Sequence, residues 1–178
     1  MTQATFSLPE VHARWAYSEI ADGVFSHRYD RKPRIDELRA QRAAGRAFAE
    51  LSGADRYALA LLCTLTRLNL MVFNAGVEKF RVIDLTRTEL GCLLVPPMIS
   101  PELQRFMPFE DFMTSLPPTS PGDARNIAAN PVRYQPAREP LTIGRYFEHC
   151  VLLDGYRRAA SFWKSAPAKA TLKAFLPV

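Results

Sequence analysis

The spacing of apolar and polar positions divides the chain into a first part with helical periodicity and a second part with strand-like alternation. Residues 34–51 place apolar side chains between charges at helical intervals, which predicts an amphipathic helix that ends before Gly53. Residues 54–76 are apolar almost all round and end at Gly76, which predicts a helix buried by its neighbours. We therefore expect a helical N-terminal region over residues 1–77.

The second of these helices does not have the pattern of a membrane span. Arg67 and Asn69 interrupt it, and its apolar run of about 17 residues is shorter than the roughly 20 residues that a bilayer requires. The first residues of the chain contain no basic segment followed by an apolar run, so no secretory signal is predicted. We expect a cytoplasmic protein without a membrane span.

Alternation of apolar and polar positions begins after Gly76. Residues 78–85 alternate and are rich in β-formers, and residues 91–97 and 171–178 predict two further strands. Residues 100–116 return to helix-like spacing, with Pro108 kinking or splitting the helix. This mixture predicts that strands and helices are combined in an α+β arrangement after residue 77.

A long proline-rich segment separates the last part of the chain from the rest. Residues 117–140 contain six prolines, which predicts a loop that is functional or mobile. Two short strands follow at about 140–144 and 147–153, with a turn near Gly144. A helix is then predicted from Tyr156.

Net charge favours an anionic partner. Lys and Arg outnumber Asp and Glu by 23 to 18, which gives a net charge of +5. Seven basic residues lie between Arg28 and Arg46, and five lie between Gly155 and Val178 without any acidic residue. These segments either contact a nucleic-acid backbone or form solvated helix faces. The three cysteines lack the paired spacing of a metal site, so we expect buried thiols.

Residues 151–158, VLLDGYRR, combine a buried strand, a turn and a helix start. The free backbone N–H groups of a helix N-terminus form an anion site, and the planar guanidinium groups of Arg157 and Arg158 suit phosphate oxygens. A phosphate would relieve the unfavourable contact between these cations and the helix N-terminus. The alternative is structural: Arg157 pairs with Asp154 or another carboxylate, and Arg158 lies in solvent.

The order of short motifs in this part resembles the ParB/sulfiredoxin superfamily. In ParB proteins a Gln/Glu-Pro-Leu strand start precedes an apolar strand and a Gly-Glu-Arg-Arg helix start. This chain has EPLTI at 139–143, VLL at 151–153 and GYRR at 155–158, at similar spacing. The resemblance covers about residues 78–178 and implies a ParB/sulfiredoxin-like α+β domain over these residues, with helices packed on a small mixed sheet.

The resemblance also implies a site and its ligands. The residues expected to bind the triphosphate of ATP or another nucleotide are Gly155, Tyr156, Arg157 and Arg158. Those expected to act in catalysis are Arg157, Arg158, Glu139 and Asp154. Asp154 would in addition hold Mg²⁺, because hard cations take one or two carboxylates plus phosphate oxygens.

Two departures from the superfamily narrow the function that the resemblance implies. Tyr156 stands where sulfiredoxin has its reactive cysteine, and no helix-turn-helix domain follows the motif, which disfavours sulfinic acid reduction and site-specific partition. The chain looks most like plasmid fertility-inhibition proteins of the oncogenic-suppression type. We therefore expect an ATPase and DNase that blocks conjugative or T-DNA transfer. The alternatives are a non-catalytic, nucleotide-dependent module that docks on the conjugation or secretion machinery, and a small-molecule kinase.

Overall fold

The computed structural model of the chain describes residues 4–20, 33–97, 105–115 and 139–178. Within these residues, both helices and strands occur, in an irregular order along the chain. The elements are β1 (Thr5–Ser7), α1 (Leu8–Ile20), α2 (Pro33–Ala43), a 3₁₀ turn (Phe48–Glu50), α3 (Gly53–Thr66), α4 (Leu68–Met71), a second 3₁₀ turn (Val72–Asn74), β2 (Lys79–Leu85), α5 (Arg87–Cys92), β3 (Leu94–Val95), β4 (Met107–Pro108), α6 (Phe109–Thr114), β5 (Leu141–Tyr146), β6 (His149–Asp154), α7 (Tyr156–Ser165) and β7 (Leu172–Pro177).

The described strands form one mixed sheet in the order β1-β2-β7-β5-β6-β3-β4. Four neighbouring pairs are antiparallel, whereas β5 pairs with β7 and β3 pairs with β6 in parallel. Helices pack on this sheet, and the α+β class predicted from the sequence is confirmed. The finer prediction of a ParB/sulfiredoxin-like fold stays a prediction.

Strand β6 connects the two main hydrophobic cores, because successive side chains of a strand point to opposite faces of the sheet. Leu152 belongs to the core that contains α6 and α7. Val151 and Leu153 belong to the core formed with α1, α2 and α3. The apolar row in the sequence therefore reflects a strand that is covered on both faces.

Helix α1 is the main helical partner of α3, and the sequence pattern did not predict it. It buries Trp15 and Tyr17 together with His12, whose ring nitrogens lie 3.4 Å from the hydroxyl oxygen of Thr64 and 3.2 Å from the amide nitrogen of Asn74. Burial lowers the pKa of His12 from 6.5 to about 4. Because the buried residues of α1 include His12 and Glu19, the helix lacks a simple apolar stripe.

Several predicted element bounds were wrong. The helix predicted over 34–51 ends at Ala43, and the helix predicted over 54–76 breaks at Arg67 with a bend of 91°. The helix predicted over 100–116 is, within the described residues, the short strand β4 followed by the six residues of α6. The segment 91–97 begins inside α5, where Thr86 and Glu89 form a capping box. Most of the predicted loop 117–140 lies outside the described residues.

Gly144 is a close-packing glycine rather than the predicted turn. Strand β5 continues through it, and the hairpin turns at Phe147 and Glu148 instead. A Cβ at position 144 would lie 2.9 Å from the carbonyl oxygen of Phe73 and 2.7 Å from a methyl carbon of Leu153. The glycine thus allows the second 3₁₀ turn to pack directly on the sheet.

The N-terminal region predicted to be helical also contributes to the sheet. Strand β1 pairs with β2, and α1 and α3 share a core with Val151 and Leu153. The division of the chain at residue 77 stays a prediction, and its two parts are joined by these contacts. Among the described helices, none is by itself long and apolar enough to cross a membrane. The two bent segments on either side of Arg67 reach that length and apolarity only when they are taken together.

Candidate functional site

The turn from β6 into α7 depends on the conformation of Gly155. This residue precedes the first residue of α7 and has a φ of 91°, in the left-handed region that side chains with a Cβ rarely adopt. A Cβ there would lie 2.3 Å from the Cδ2 atom of Leu141 and 3.0 Å from the Nη2 atom of Arg158. The chain therefore needs glycine at this position for both backbone and packing reasons.

The carboxylate of Asp154 lies at the mouth of α7 and is bound on two sides. It accepts a hydrogen bond from the backbone N–H of Gly155 and a 2.8 Å charged hydrogen bond from Nη2 of Arg158. Both paired side chains are nearly buried. A negative charge at a helix N-terminus is favourable, and here Asp154 of the chain itself supplies it. This charge compensates Arg158 at the helix start.

Arg158 also ties the start of β5 to α7. Its Nη1 atom donates to the carbonyl oxygen of Glu139 and, at 3.1 Å, to that of Pro140. The planar guanidinium thus uses separate N–H groups for two carbonyls and one carboxylate, which a lysine could not do in the same geometry. The structural alternative placed Arg158 in solvent, and this was wrong, because Arg158 is nearly buried and pairs with Asp154.

Tyr156 belongs to the hydrophobic core. Its hydroxyl donates to the carbonyl oxygen of Leu152, and its ring lies edge-on to Phe112 with centroids 6.2 Å apart. Burial is the main reason why the pKa of the Tyr156 hydroxyl is raised well above its ordinary value. In this conformation the side chain holds α7 against the sheet, and only the backbone of Tyr156 lies at the mouth of the helix.

Arg157 is half-buried in the first turn of α7. It lies beside the first backbone N–H groups of a ten-residue helix, which have no carbonyl partner within that helix. A guanidinium group and backbone N–H donors are therefore close together at the start of α7.

Glu139 lies close to the turn through its backbone, but its side chain is paired elsewhere. Its carboxylate accepts a 3.2 Å charged hydrogen bond from Arg14, which also contacts Glu10 at 3.3 Å. The guanidinium of Arg14 stacks over the ring of Phe48, 4.4 Å from its centroid. The predicted catalytic role of Glu139 therefore requires that this ion pair opens.

Two further charged residues lie near Asp154 and were not predicted as part of the site. Glu19 accepts a 2.9 Å hydrogen bond from the indole N–H of Trp15 and an ion-pair contact from Arg67. Both Glu19 and Arg67 are buried and act electrostatically on Asp154. One indication of this buried pair was present in the sequence. Arg67 is the only charged residue between positions 57 and 77, and an isolated charge in a buried helix needs a partner.

The pKa of Asp154 is raised from 3.8 to about 6. Burial is the largest cause, and the negative charge of Glu19 adds to it, while the cations of Arg158 and Arg67 act in the opposite direction. The carboxylate therefore titrates near neutral pH even though it is paired with a guanidinium.

The donor set at Asp154 does not fit a Mg²⁺ ion held by the protein. The carboxylate is already bound to Arg158 and to a backbone N–H group, and two cationic side chains act on it. In the described part of the chain no three His, Cys, Asp or Glu side chains form a group that could hold a metal ion. Oxygen-rich, negatively charged surroundings are what Mg²⁺ requires.

The basic segment between Arg28 and Arg46 can be assessed over its described part, which begins at residue 33. Its arginines contact other groups of the same chain, and two of them, Arg34 and Arg39, pair with carboxylates. Arg34 binds Asp55 and Glu37, Arg39 binds Asp36, Arg46 binds the side chain of Gln41 and the carbonyl of Glu50, and Arg42 stacks over Tyr17. DNA binding by this segment stays a prediction.

A shallow depression lies in another part of the molecule, between β4 and α6, and is lined by Arg105, Phe106, Met107, Pro108, Asp111 and Ser115. None of the predicted site residues borders it. Comparison of the chain with protein-family models, with curated proteins and with solved structures gives no match. The family resemblance and the function that it implies stay predictions.

Proposed function

We propose that the turn from β6 to α7 binds the phosphate groups of a nucleotide, with ATP as the first candidate. The observation that carries the proposal is the strand–glycine–helix turn, in which Gly155 starts a helix whose first turn contains two arginines. Backbone N–H groups at a helix start and a neighbouring guanidinium together form a favourable phosphate site. The same groups would stabilise the negative charge that develops on the phosphate oxygens during hydrolysis of the nucleotide or cleavage of DNA.

The contacts of the turn suggest different roles for its two arginines. Arg158 is held by Asp154 and two backbone carbonyls, so we assign it the role of positioning the turn. Arg157 would contact the phosphate oxygens directly, together with the first N–H groups of α7. Because the donor set does not fit Mg²⁺, no step of this proposal depends on a metal bound by the protein.

The biological role that we propose is interference with conjugative or T-DNA transfer. It rests on the resemblance of the 139–158 motifs to the ParB/sulfiredoxin superfamily, and on the likeness of a basic chain of this length with a helical N-terminal part to fertility-inhibition proteins. The second candidate is a nucleotide-dependent binding module without turnover, and it is favoured by the enclosed environment of Asp154 and Arg158. In that case the protein would act by docking on the conjugation or secretion machinery.

The test measures nucleotide binding by calorimetry and phosphate release from ATP, with and without Mg²⁺ and plasmid DNA. Arg157→Ala should weaken binding by about tenfold or more, because one charge-assisted contact contributes roughly 1.5–3 kcal/mol. Arg81→Ala, which removes an exposed arginine on β2, is the matched control and should bind like the wild type. Binding without phosphate release would favour the second candidate. Equal binding by the folded Arg157→Ala variant and the wild type would contradict the site.

A further inference from the structure

From Tyr57 onward, the exposed side chains of α3, α4 and the following 3₁₀ turn are uncharged, and they lie on two segments that meet at a bend of 91°. Five large side chains among them are between 47% and 71% exposed, and we call them the neutral face: Tyr57, Leu61, Leu65, Leu68 and Val72. The first three follow one another at intervals of four residues along α3, so they form one stripe. A run of exposed aromatic and aliphatic side chains of this kind is uncommon on a monomeric protein.

Within residues 57–77, no exposed charge interrupts the neutral face. From residue 57 to residue 77 the only charged residue is Arg67, and its side chain is buried against Glu19. The remaining exposed positions in this stretch are Asn69, Ala75 and Gly76. Nucleic acids and acidic or basic peptides would find no opposite charge here, so electrostatic complementarity requires an occupant that is uncharged where it makes contact.

We propose that the neutral face is the interface through which two copies of this chain form a symmetric dimer. In a twofold dimer each residue near the axis meets its own copy, so an exposed charge there would face a like charge. The neutral face satisfies this condition, because leucine packs on leucine without repulsion. The net charge of +5 on each copy is carried elsewhere, and at physiological ionic strength it is screened beyond about 8 Å.

The order of the side chains supports the same arrangement. Leu61 lies in the middle of the α3 stripe, with Tyr57 and Leu65 one helical turn away on either side. Two antiparallel copies of α3 would pair Leu61 with Leu61 and Tyr57 with Leu65. Tyrosine at the edge of such a contact buries its ring while its hydroxyl stays in water, as is common at interfaces. This inference does not depend on nucleotide binding.

The test is a charge-pairing experiment on the full chain. Sedimentation equilibrium over a micromolar concentration series should show the wild type as a dimer, and Leu61→Glu and Leu61→Lys should each be monomeric, with dimer affinity lowered by about a hundredfold or more. An equimolar mixture of these two variants should recover a dimer, because a carboxylate then meets an ammonium group at the axis. Val178→Lys, which adds charge at an exposed apolar position outside the neutral face, is the control and should dimerise like the wild type.

Each result bears directly on the proposal. Recovery of a heterodimer from the mixture supports the symmetric contact, provided that circular dichroism shows both variants folded. A wild type that remains monomeric throughout the series overturns the proposal, even if it binds lipid vesicles or another protein through this face. A Leu61→Glu variant that dimerises like the wild type overturns it too, because the contact must then lie elsewhere.

Discussion

Charged side chains are distributed differently at the turn from β6 to α7 and on the neutral face. At the turn, Asp154 and Arg158 are buried together and each compensates the other. On the neutral face, exposed positions carry no charge at all, and the one charge in that stretch, Arg67, is directed inward. Changes at the turn should therefore affect folding strongly, whereas changes on the neutral face should affect association and leave folding almost unchanged.

The strongest test of this difference is a change of backbone conformation at the turn. Gly155→Val should lower the free energy of unfolding by roughly 4 kcal/mol or more, because a β-branched residue is strained at positive φ and its Cβ would overlap Leu141. Gly53→Val, at the start of α3 where a Cβ would meet no atom within 4 Å, is the matched control. Equal stabilities of the two variants in urea denaturation would contradict the described turn.

Loss of Arg158 should have the next largest effect. Arg158→Ala leaves a buried carboxylate and two carbonyls without their donor, which should cost roughly 3 kcal/mol of stability. Arg158→Lys should recover part of this loss, because it restores the charge but not the planar fork. Arg157→Ala should change stability by about 1 kcal/mol or less. If thermal and urea denaturation show that Arg157 matters more than Arg158, the assigned roles of the two arginines are wrong.

The pH dependence of stability should reveal two opposing titrations. The pKa of Asp154 is about 6 in the folded protein and 3.8 in the unfolded chain. Its contribution to stability is therefore full below pH 3.8 and is lost as pH rises through 6. The pKa of His12 is about 4 in the folded protein and 6.5 in the unfolded chain. Its contribution to stability is therefore full above pH 6.5 and is lost as pH falls through 4. Between these values the two slopes oppose each other at roughly 1.4 kcal/mol per pH unit each.

Removing either group should leave the slope of the other. In urea denaturation between about pH 4.5 and 6, Asp154→Asn should make stability rise more steeply with pH than it does in the wild type. His12→Gln should make stability fall with rising pH over the same interval. If both variants keep the wild-type slope, these two groups do not control the titration.

The smallest effect on folding is expected on the neutral face. Leu65→Gln should change the free energy of unfolding by only about 0.5 kcal/mol or less at a protein concentration where the chain is monomeric, because the side chain is half-exposed there. The buried neighbour Leu62 is the matched comparison, and Leu62→Ala should cost roughly 2–4 kcal/mol. A large loss for Leu65→Gln in the monomer would mean that this side chain is not exposed as described.

The sequence predicted β2, β6, β7 and the last helix well, because their apolar patterns are local. The row Val151–Leu153 and the turn at Gly155 were placed correctly, and β2 and β7 lie almost where alternation indicated. Helix α1 was missed because its buried face includes His12 and Glu19, which obscure the periodicity. The bend at Arg67 was missed because it depends on a partner in another helix.

The site was predicted in outline and not in its contacts. The motif located Asp154, Gly155 and the two arginines in one turn, since their spacing along the chain fixes that. It could not show that Arg158 is held by Asp154 and by the carbonyls of residues 139 and 140, which approach from a different strand. Such long-range partners are determined by the arrangement of the sheet, and short motifs carry no information about it.

The position of β7 determines when the sheet can be completed during synthesis. This strand follows β2, β5 and β6 in the chain, yet it lies between β2 and β5 and pairs with both. Until residues 172–177 have left the ribosome, β1 and β2 have no ladder that joins them to β5 and β6. Until then, β2 and β5 each have an edge without its partner strand β7, and such edges invite pairing with other chains. When β7 pairs with β2 and β5, both edges obtain their partner strand at the same time.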